Sequence, residues 1–302
     1  MVTRVGRLIV LLVASLTPAC LSAQEMRPRS ILVLDQSDLR GPFYYQIFSE
    51  LRDVVTTDAH ERATLYAENL DLSRFKGPAY EEGLQRYLKE KYRDRQIGVI
   101  VTVGAAALEF ALHWRAELWP GIPIMFTVVD EMDYVRLKPP PDVTGEIVKL
   151  GLADSIAAAR VVVPDLKEIV FVGDARDRQV IFRNWHDEIS TAADGLNVVE
   201  IIGLPMTEIR RRVAELPDGS VIIYSAVYSD GEGTFYPPAT ALALVAAKAN
   251  RPIIVGAETF LAPGGIGGFV LVPNLIGAHA ARLALRIIDG ESPSTIPPVS
   301  GE

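Results

Sequence analysis

Polar and aromatic side chains follow an apolar run near the start of the chain, where they could contact a ligand. Asp35 and Gln36 end this run, and Phe43 and Tyr44 begin the helical pattern that comes next. In open parallel sheets, ligands bind in the crevice beyond the carboxyl ends of the strands. Each of these residues taken singly is typical of a loop, but together they predict one wall of a ligand cleft.

Three small residues, Gly104, Ala105 and Ala106, join another apolar run to a helical pattern. Small side chains leave the backbone N–H groups of a first helical turn uncovered, and such groups bind a carboxylate or a phosphate. A tight turn that serves the packing of the helix on the strand explains the same residues, so both interpretations stay open. Thr127 and Asp130 end the next apolar run and are further candidates for ligand contacts.

The second half of the chain repeats this arrangement. Asp174 follows one apolar run, Tyr224, Ser225 and Tyr228 follow another, and Glu258 follows a third. Aromatic rings and hydroxyl groups with few charges are typical of a site for a small organic molecule. The sequence therefore predicts that such a ligand lies between two sets of strand ends.

The motifs that common catalytic and phosphate-binding sites require are missing from the sequence. The four histidines lack the H-E-x-x-H spacing of zinc hydrolases, and there is no G-x-x-x-x-G-K-S/T phosphate loop. The G-x-S-x-G turn of serine hydrolases is also missing. We therefore predict no catalytic residue, no metal and no cofactor. A distant alternative is an exported α/β hydrolase that uses Ser225 with a remote histidine.

The composition is that of a folded, acidic protein. The 302 residues are 49% hydrophobic, and 38 acidic residues against 30 basic ones give a formal net charge of −8. At about 100–200 residues per domain, this length predicts two domains with a large core. Nucleic-acid binding requires a basic stripe that displaces phosphate counterions, and the sequence has none, so we expect no nucleic-acid partner.

Apolar runs rich in β-forming residues alternate with helical patterns along most of the chain. The runs are almost continuously hydrophobic, which is typical of strands that are covered on both faces. Strand–helix alternation of this kind predicts the α/β class, with parallel sheets. The predicted strands are Ile31–Leu34, Ala63–Tyr66, Ile97–Val103, Ile122–Val129, Val143–Leu150, Glu168–Val172, Asn197–Ile202, Val221–Tyr224, Pro252–Val255 and Phe269–Val272.

Two lobes are indicated by a strand–helix–proline–strand pattern that occurs once in each half of the chain. A run of prolines, 139–141, leads out of the first half, and a glycine-rich segment, 264–268, offers a return point. The predicted first lobe comprises residues 28–145 plus 269–290, and the second comprises residues 146–268 plus 291–302. These boundaries place the hinge at four residues, Gly145, Glu146, Gly267 and Gly268.

The first 23 residues have the pattern of a signal peptide. Two arginines precede the apolar run Leu8–Leu16, which is too short to span a bilayer, and Ala23 offers a small-residue cleavage site. The one cysteine, Cys20, lies inside this segment, and its lipidation is an alternative to simple cleavage. Cleavage would leave a periplasmic or extracytoplasmic chain without a thiol. No later run offers 18 consecutive apolar residues, so no membrane span is predicted in the mature chain.

Six segments of the chain, taken together, resemble those of a known family. They are Ile31–Asp35, Glu68–Phe75, Ile97–Phe110, Trp119–Phe126, Asn250–Ile253 and Gly264–Phe269. In the same order they resemble the ABC-transporter substrate-binding-protein-like family. The resemblance covers about residues 30–300 and is closest to the extracytoplasmic sensor regions of bacterial two-component histidine kinases. It implies a type I periplasmic-binding-protein fold, in which a three-segment hinge joins two Rossmann-like lobes around a ligand.

The same resemblance implies a non-catalytic protein that binds a small organic solute. Its first expected role is the ligand-sensing input of a membrane histidine kinase, and the alternative is the binding component of an ABC permease. A sensor region is expected to continue past Glu302 into a transmembrane helix, whereas a stand-alone binding protein would end there. Related members bind small solutes that include aromatic amino acids.

Overall fold

Ten parallel strands form two separate sheets in the part of the chain that the computed structural model describes. Those residues are 27–37, 41–58, 62–72, 74–149, 151–176, 185 and 188–300. The predicted α/β class with two lobes is confirmed, because each sheet has helices on both of its faces. The predicted signal peptide and Cys20 lie outside the described residues.

The elements of the first lobe are β1 (Ser30–Asp35), α1 (Pro42–Asp58), β2 (Thr64–Asn69), α2 (Pro78–Lys91), β3 (Val99–Val103), α3 (Ala105–Leu118), β4 (Ile124–Asp130), α4 (Glu131–Leu137), β5 (Val143–Val148), α8 (Pro273–Ile288) and β10 (Val299–Ser300). Its sheet has the strand order β10-β5-β4-β3-β1-β2. One core contains Ile31, Val33 and Val101 beneath the packed helices α1 and α8, and the opposite core contains Leu32 and Leu34 beneath α2 and α3. Alternate residues of one strand thus fill two cores, which explains the continuous apolar runs.

The elements of the second lobe are α5 (Leu152–Val162), β6 (Glu168–Gly173), β7 (Asn197–Ile202), α6 (Met206–Val213), β8 (Ser220–Tyr224), α7 (Pro238–Ala246) and β9 (Ile253–Val255). Its sheet has the strand order β7-β6-β8-β9. Val170 and Ile222 pack under α6 and α7, whereas Ile169 and Val221 pack under α5 and the buried Trp185. Two short 3-10 helices, Glu258–Phe260 and Pro293–Thr295, complete the described secondary structure.

The chain leaves the first sheet after Val148, later than the sequence predicted. Gly145 and Glu146 lie inside β5, and a Cβ at Gly145 would come within 2.1 Å of the Phe126 carbonyl oxygen. These two residues are therefore not at the crossing, because ladder pairing with β4 fixes their backbone. Gly145 is instead required by the close approach of β5 to Phe126.

The return to the first lobe directly follows Leu271, whose N–H still donates to the Gly256 carbonyl at the end of β9. Gly267 and Gly268 precede this return, and a Cβ at Gly268 would lie 2.4 Å from the Ala158 Cβ of α5. Their role as hinge residues stays a prediction. Within the described ranges the chain thus crosses between the sheets twice, where three hinge segments were expected.

The C-terminal segment packs on the first lobe, contrary to the prediction that residues 291–302 complete the second. Val299 pairs with Glu146 in the first sheet, and the Thr144 hydroxyl donates to the Ile296 carbonyl at 2.7 Å. Ile296 is buried in the core that α1 and α8 cover. This burial keeps the described end of the chain on the first sheet. No described helix is long and apolar enough to cross a bilayer.

Candidate ligand-binding site

A chamber of about 440 Å³, which we call the outer chamber, lies between the lobes. Its wall on the first lobe comes from the loop after β1, the start of α1 and Arg74. Its wall on the second lobe comes from the loop after β8, the start of α7 and the 3-10 turn after β9. The residues used below are Ser37, Phe43, Arg74, Phe235, Thr259 and Phe260.

A smaller chamber of about 210 Å³, the inner chamber, adjoins the outer one on the side of the crossing segments. Its walls include Val128 of β4, the end of β8, the end of β9 and Leu271 at the return crossing. Four aromatic side chains line both chambers and so form the wall between them: Phe43, Tyr44, Tyr228 and Phe260. We call these four residues the aromatic wall.

The hydroxyl groups of Tyr44 and Tyr228 face each other across the cleft. Each hydroxyl shifts the pKa of the other, and Gln36 Nε2 donates a hydrogen bond to Tyr44 Oη at 3.1 Å. On the other side, Asp174 accepts hydrogen bonds from the backbone N–H groups of Tyr228 and Ser229, at 2.9 and 3.0 Å. Polar groups from both lobes thus meet in the cleft, and Asp174 holds the second-lobe side in place.

The acidity of both tyrosines reflects this environment. Burial raises the pKa of Tyr228 to about 12, and the negative charges of Asp174 and Asp35 act in the same direction. Burial also raises the pKa of Tyr44 well above its ordinary value, and the Tyr228 hydroxyl raises it further. Both hydroxyls are therefore neutral hydrogen-bonding groups at physiological pH.

Tyr224 fixes the backbone on the second-lobe side of the site. Its hydroxyl donates to the Pro238 carbonyl at 3.2 Å and accepts from the Val227 N–H at 3.1 Å. Its ring meets Phe260 edge to face, with the ring centroids 5.6 Å apart. One buried side chain thus sets the positions of the loop after β8, the start of α7 and part of the aromatic wall.

The Gly104–Ala106 turn, predicted as a possible anion site, is covered by Gln36. Gln36 Oε1 accepts a hydrogen bond from the Ala106 N–H at 3.0 Å, and a Cβ at Gly104 would lie 2.0 Å from Gln36 Cδ. One of the N–H groups that an anion would use is thus already bound by a side chain of the protein, and a ligand contact by Gly104, Ala105 or Ala106 stays a prediction. Gly104, with φ of 97°, allows this close approach.

The remaining predicted residues divide into two groups by position. Phe43, Tyr44, Tyr224, Ser225 and Tyr228 line one or both chambers. Asp130 instead caps α4 by accepting from the Asp133 N–H at 2.7 Å, and buried Asp35 accepts from the Ser37 N–H at 2.7 Å. Thr127 is fully buried, and Glu258 is exposed at the start of a 3-10 turn. Any ligand contact by these four residues or by Asp174 stays a prediction.

Arg74 and Phe235 are the main site residues that sequence reasoning missed. Arg74 Nε donates to Asp71 Oδ1 at 2.6 Å, and the guanidinium lies 5.3 Å from the centroid of the Phe235 ring on the opposite lobe. Arg74 is the only charged side chain among the described residues that line the outer chamber. The aromatic–proline cluster 235–238 was a usable signal for an apolar wall, whereas no local pattern distinguished Arg74.

Solved structures with the same architecture come from several bacteria. A conserved domain protein from Vibrio cholerae matches with a TM-score of 0.65 at 18% identity, over 91% of this chain and 90% of that chain. An ABC domain from Streptococcus pneumonia, in complex with L-Trp, matches with a TM-score of 0.64 at 13% identity, over 90% and 89%. The ligand-free, open structure of a substrate binding protein with adhesive properties from Clostridium difficile matches with a TM-score of 0.61 at 16% identity, over 90% and 89%.

The fold is that of a two-lobed type I periplasmic binding protein. At these identities the similarity concerns the fold, and the chambers lie where this fold brings two sets of strand ends together. Neither a protein-family model nor a curated protein sequence matches the chain. Among the described residues, no group of three His, Cys, Asp or Glu side chains is arranged to hold a metal ion.

Proposed function

We propose that the protein is an exported, non-catalytic binding protein that closes its two lobes around a small organic ligand. The observation that carries this proposal is the pair of chambers whose walls come from both lobes. The outer chamber alone has a volume typical of ligand pockets, which span about 300–1,000 Å³. A ligand held there contacts both lobes, and contacts made only in the closed form shift the population toward closure.

The ligand class that best fits the outer chamber is an aromatic carboxylate. Phe43, Phe235 and Phe260 supply aromatic faces, and Ser37 and Thr259 supply hydroxyl groups. Arg74 supplies a positive charge whose position is set by Asp71, and a guanidinium carries five N–H donors that suit a carboxylate. No carboxylate lines the described part of the outer chamber, so an acid is favoured over an amine or an amino acid.

The role we favour downstream of binding is sensing, as the input region of a two-component histidine kinase. This proposal is supported by the resemblance of residues 30–300 to such regions and by the predicted signal peptide. The alternative is delivery of the ligand to an ABC permease, which the substrate binding protein and the ABC domain among the matching structures support. The two roles use the same cleft and differ in the protein partner.

A matched set of small molecules tests both binding and ligand class. Indole-3-acetate, tryptamine and L-tryptophan share one ring system and differ in charge, and thermal shift followed by calorimetry measures their binding. We expect indole-3-acetate to bind at least tenfold more tightly than the other two, because it alone places a lone carboxylate near Arg74. Equal binding of L-tryptophan would contradict the ligand class but not the binding function.

Arg74→Gln is expected to weaken binding of the acid by about 10- to 100-fold, since a hydrogen bond to a charged group contributes about 1.5–3 kcal/mol. Arg115→Gln is the matched control, because Arg115 forms a similar ion pair with Asp142 but lines neither chamber. Failure of a broad panel of organic acids, amines and amino acids to stabilise the protein would contradict the binding function itself.

A further inference from the structure

The inner chamber differs in chemistry from the outer one. No charged side chain lines its described part. Its walls combine the rings of the aromatic wall, Trp185 and Tyr224 with aliphatic side chains, among them Val128, Ile223, Ile254 and Leu271. Two of its hydroxyl groups are already satisfied, because Tyr224 donates to the Pro238 carbonyl and Ser155 hydrogen-bonds the Gly151 carbonyl. An apolar cavity of about 150 Å³ accommodates benzene, so about 210 Å³ is sufficient for an aryl ring.

The backbone around the inner chamber adopts rare conformations on both lobes. Val128 has φ of 58° and Ala226 has φ of 90°, and both residues line the chamber. A positive φ is costly for a β-branched residue such as Val128, and strain of this kind is concentrated at functional sites. At Val128 the pairing of β4 with β5 also shifts register, between Phe126 and Val129. Both lobes therefore contribute a residue with a rare backbone conformation to the walls of this chamber.

We propose that the inner chamber is a separate subsite for an uncharged aryl or branched-alkyl group of the ligand. The polar end of the same ligand stays in the outer chamber near Arg74, and the part of the ligand between its two ends passes the aromatic wall. Because the hydroxyls of Tyr44 and Tyr228 in that wall face each other across the cleft, they must separate when a ligand occupies both chambers. This inference rests on the proposed function and names the shape and polarity of the ligand.

Toluene is the probe for this subsite, because it has a ring and no charge. The chain has three tryptophans, of which Trp185 lines the inner chamber and Trp114 and Trp119 line neither chamber. In protein labelled with 5-fluorotryptophan, we expect toluene to shift the ¹⁹F resonance of Trp185 and to leave the other two in place. An unchanged Trp185 resonance at saturating toluene would overturn the proposal.

Two alanine-to-leucine variants distinguish the chambers. Ala257 lines only the inner chamber and Ala239 only the outer one. We expect Ala257→Leu to weaken toluene binding at least tenfold by filling the subsite, and Ala239→Leu to change it less than threefold. Equal effects of the two variants, or a larger effect of Ala239→Leu, would overturn the proposal. Ala257→Val, with a smaller side chain, serves if Ala257→Leu does not fold.

Failure of this inference is distinguishable from failure of the binding function. Binding of a ligand from the organic panel, together with a Trp185 resonance that toluene leaves unchanged, would leave the function standing and overturn the inner subsite. Conversely, a toluene-induced shift of Trp185 without any ligand from the panel would support the subsite and contradict the proposed function.

Discussion

At the scale of single residues, Tyr44 and Tyr228 connect the two lobes, and their environment makes the connection sensitive to alkaline pH. Both rings were predicted as walls of the cleft from their places after an apolar run and at the start of a helix. That their hydroxyls face each other depends on the distance between the lobes, which no local pattern contains. The contact of Arg74 with Phe235 depends on the same distance.

Stability is expected to fall between about pH 10 and pH 12. Burial raises the pKa of Tyr228 from its ordinary value of 10.0 to about 12, so the folded state favours the protonated phenol. A group whose pKa is higher in the folded state than in the unfolded state stabilises the fold fully at pH values below its unfolded-state pKa. This stabilisation is lost as the pH rises through the folded-state pKa. Thermal melts at half-unit pH steps should show this loss, and Tyr228→Phe should reduce its slope.

Tyr45→Phe is the control for this measurement, because Tyr45 adjoins Tyr44 in the sequence but its side chain is mostly exposed. The Tyr45→Phe protein should lose stability with pH as the parent protein does. Equal slopes for the parent protein and Tyr228→Phe would show that the buried phenol does not contribute to the pH dependence.

At the scale of elements, the sequence located nine of the ten described strands, because continuous apolar runs follow from burial alone. Phe269–Val272, predicted as a strand, forms only an isolated bridge at Leu271, and the short strand β10 was not predicted. Gly145 shows the limit of this reasoning. Its position after three prolines suggested a hinge, whereas the structure places it inside β5 against Phe126. The end of β5 depends on pairing with β4 and β10, and this pairing is decided by residues far away in the chain.

Gly145→Ala is expected to destabilise the protein by about 1–3 kcal/mol, because its new Cβ overlaps the Phe126 carbonyl and ring in a well-packed strand. Gly83→Ala is the matched control within α2, where a new Cβ meets no atom within 4 Å. That change should stabilise the protein by up to about 1 kcal/mol, because alanine loses less backbone entropy in a helix. Urea unfolding of both variants measures this difference, and a neutral Gly145→Ala would favour the hinge prediction instead.

At the scale of the whole molecule, contacts between side chains favour a form in which the lobes touch. Besides the tyrosine pair, the Arg74 guanidinium contacts the Phe235 ring across the cleft. A ligand must compete with or rearrange these contacts when it enters. The ligand-free equilibrium between open and closed forms therefore depends on a few bonds, each of which contributes about 0.5–1.5 kcal/mol.

Tyr44→Phe is expected to increase the radius of gyration of the ligand-free protein, because it removes the hydroxyl that faces Tyr228 across the cleft and so favours the open form. Small-angle X-ray scattering measures the change. Tyr236→Phe is the control, since the Tyr236 hydroxyl donates to Asp230 within the second lobe. Scattering curves that are identical for the parent protein and Tyr44→Phe would contradict a role for the tyrosine pair in closure.

From the amino-acid sequence alone it is possible to predict the α/β class, the parallel sheets, the acidic charge and the aromatic character of the cleft. These properties follow from residue types and from periodicities within about ten residues, which report burial directly. Tertiary contacts, in contrast, set which strand ends meet, how Gln36 covers the Gly104 turn, the position of Arg74 opposite Phe235, and the pairing of the C-terminal strand with the first sheet. Each of these contacts joins residues far apart in the chain, so its energy comes from the folded arrangement and leaves no local pattern to read.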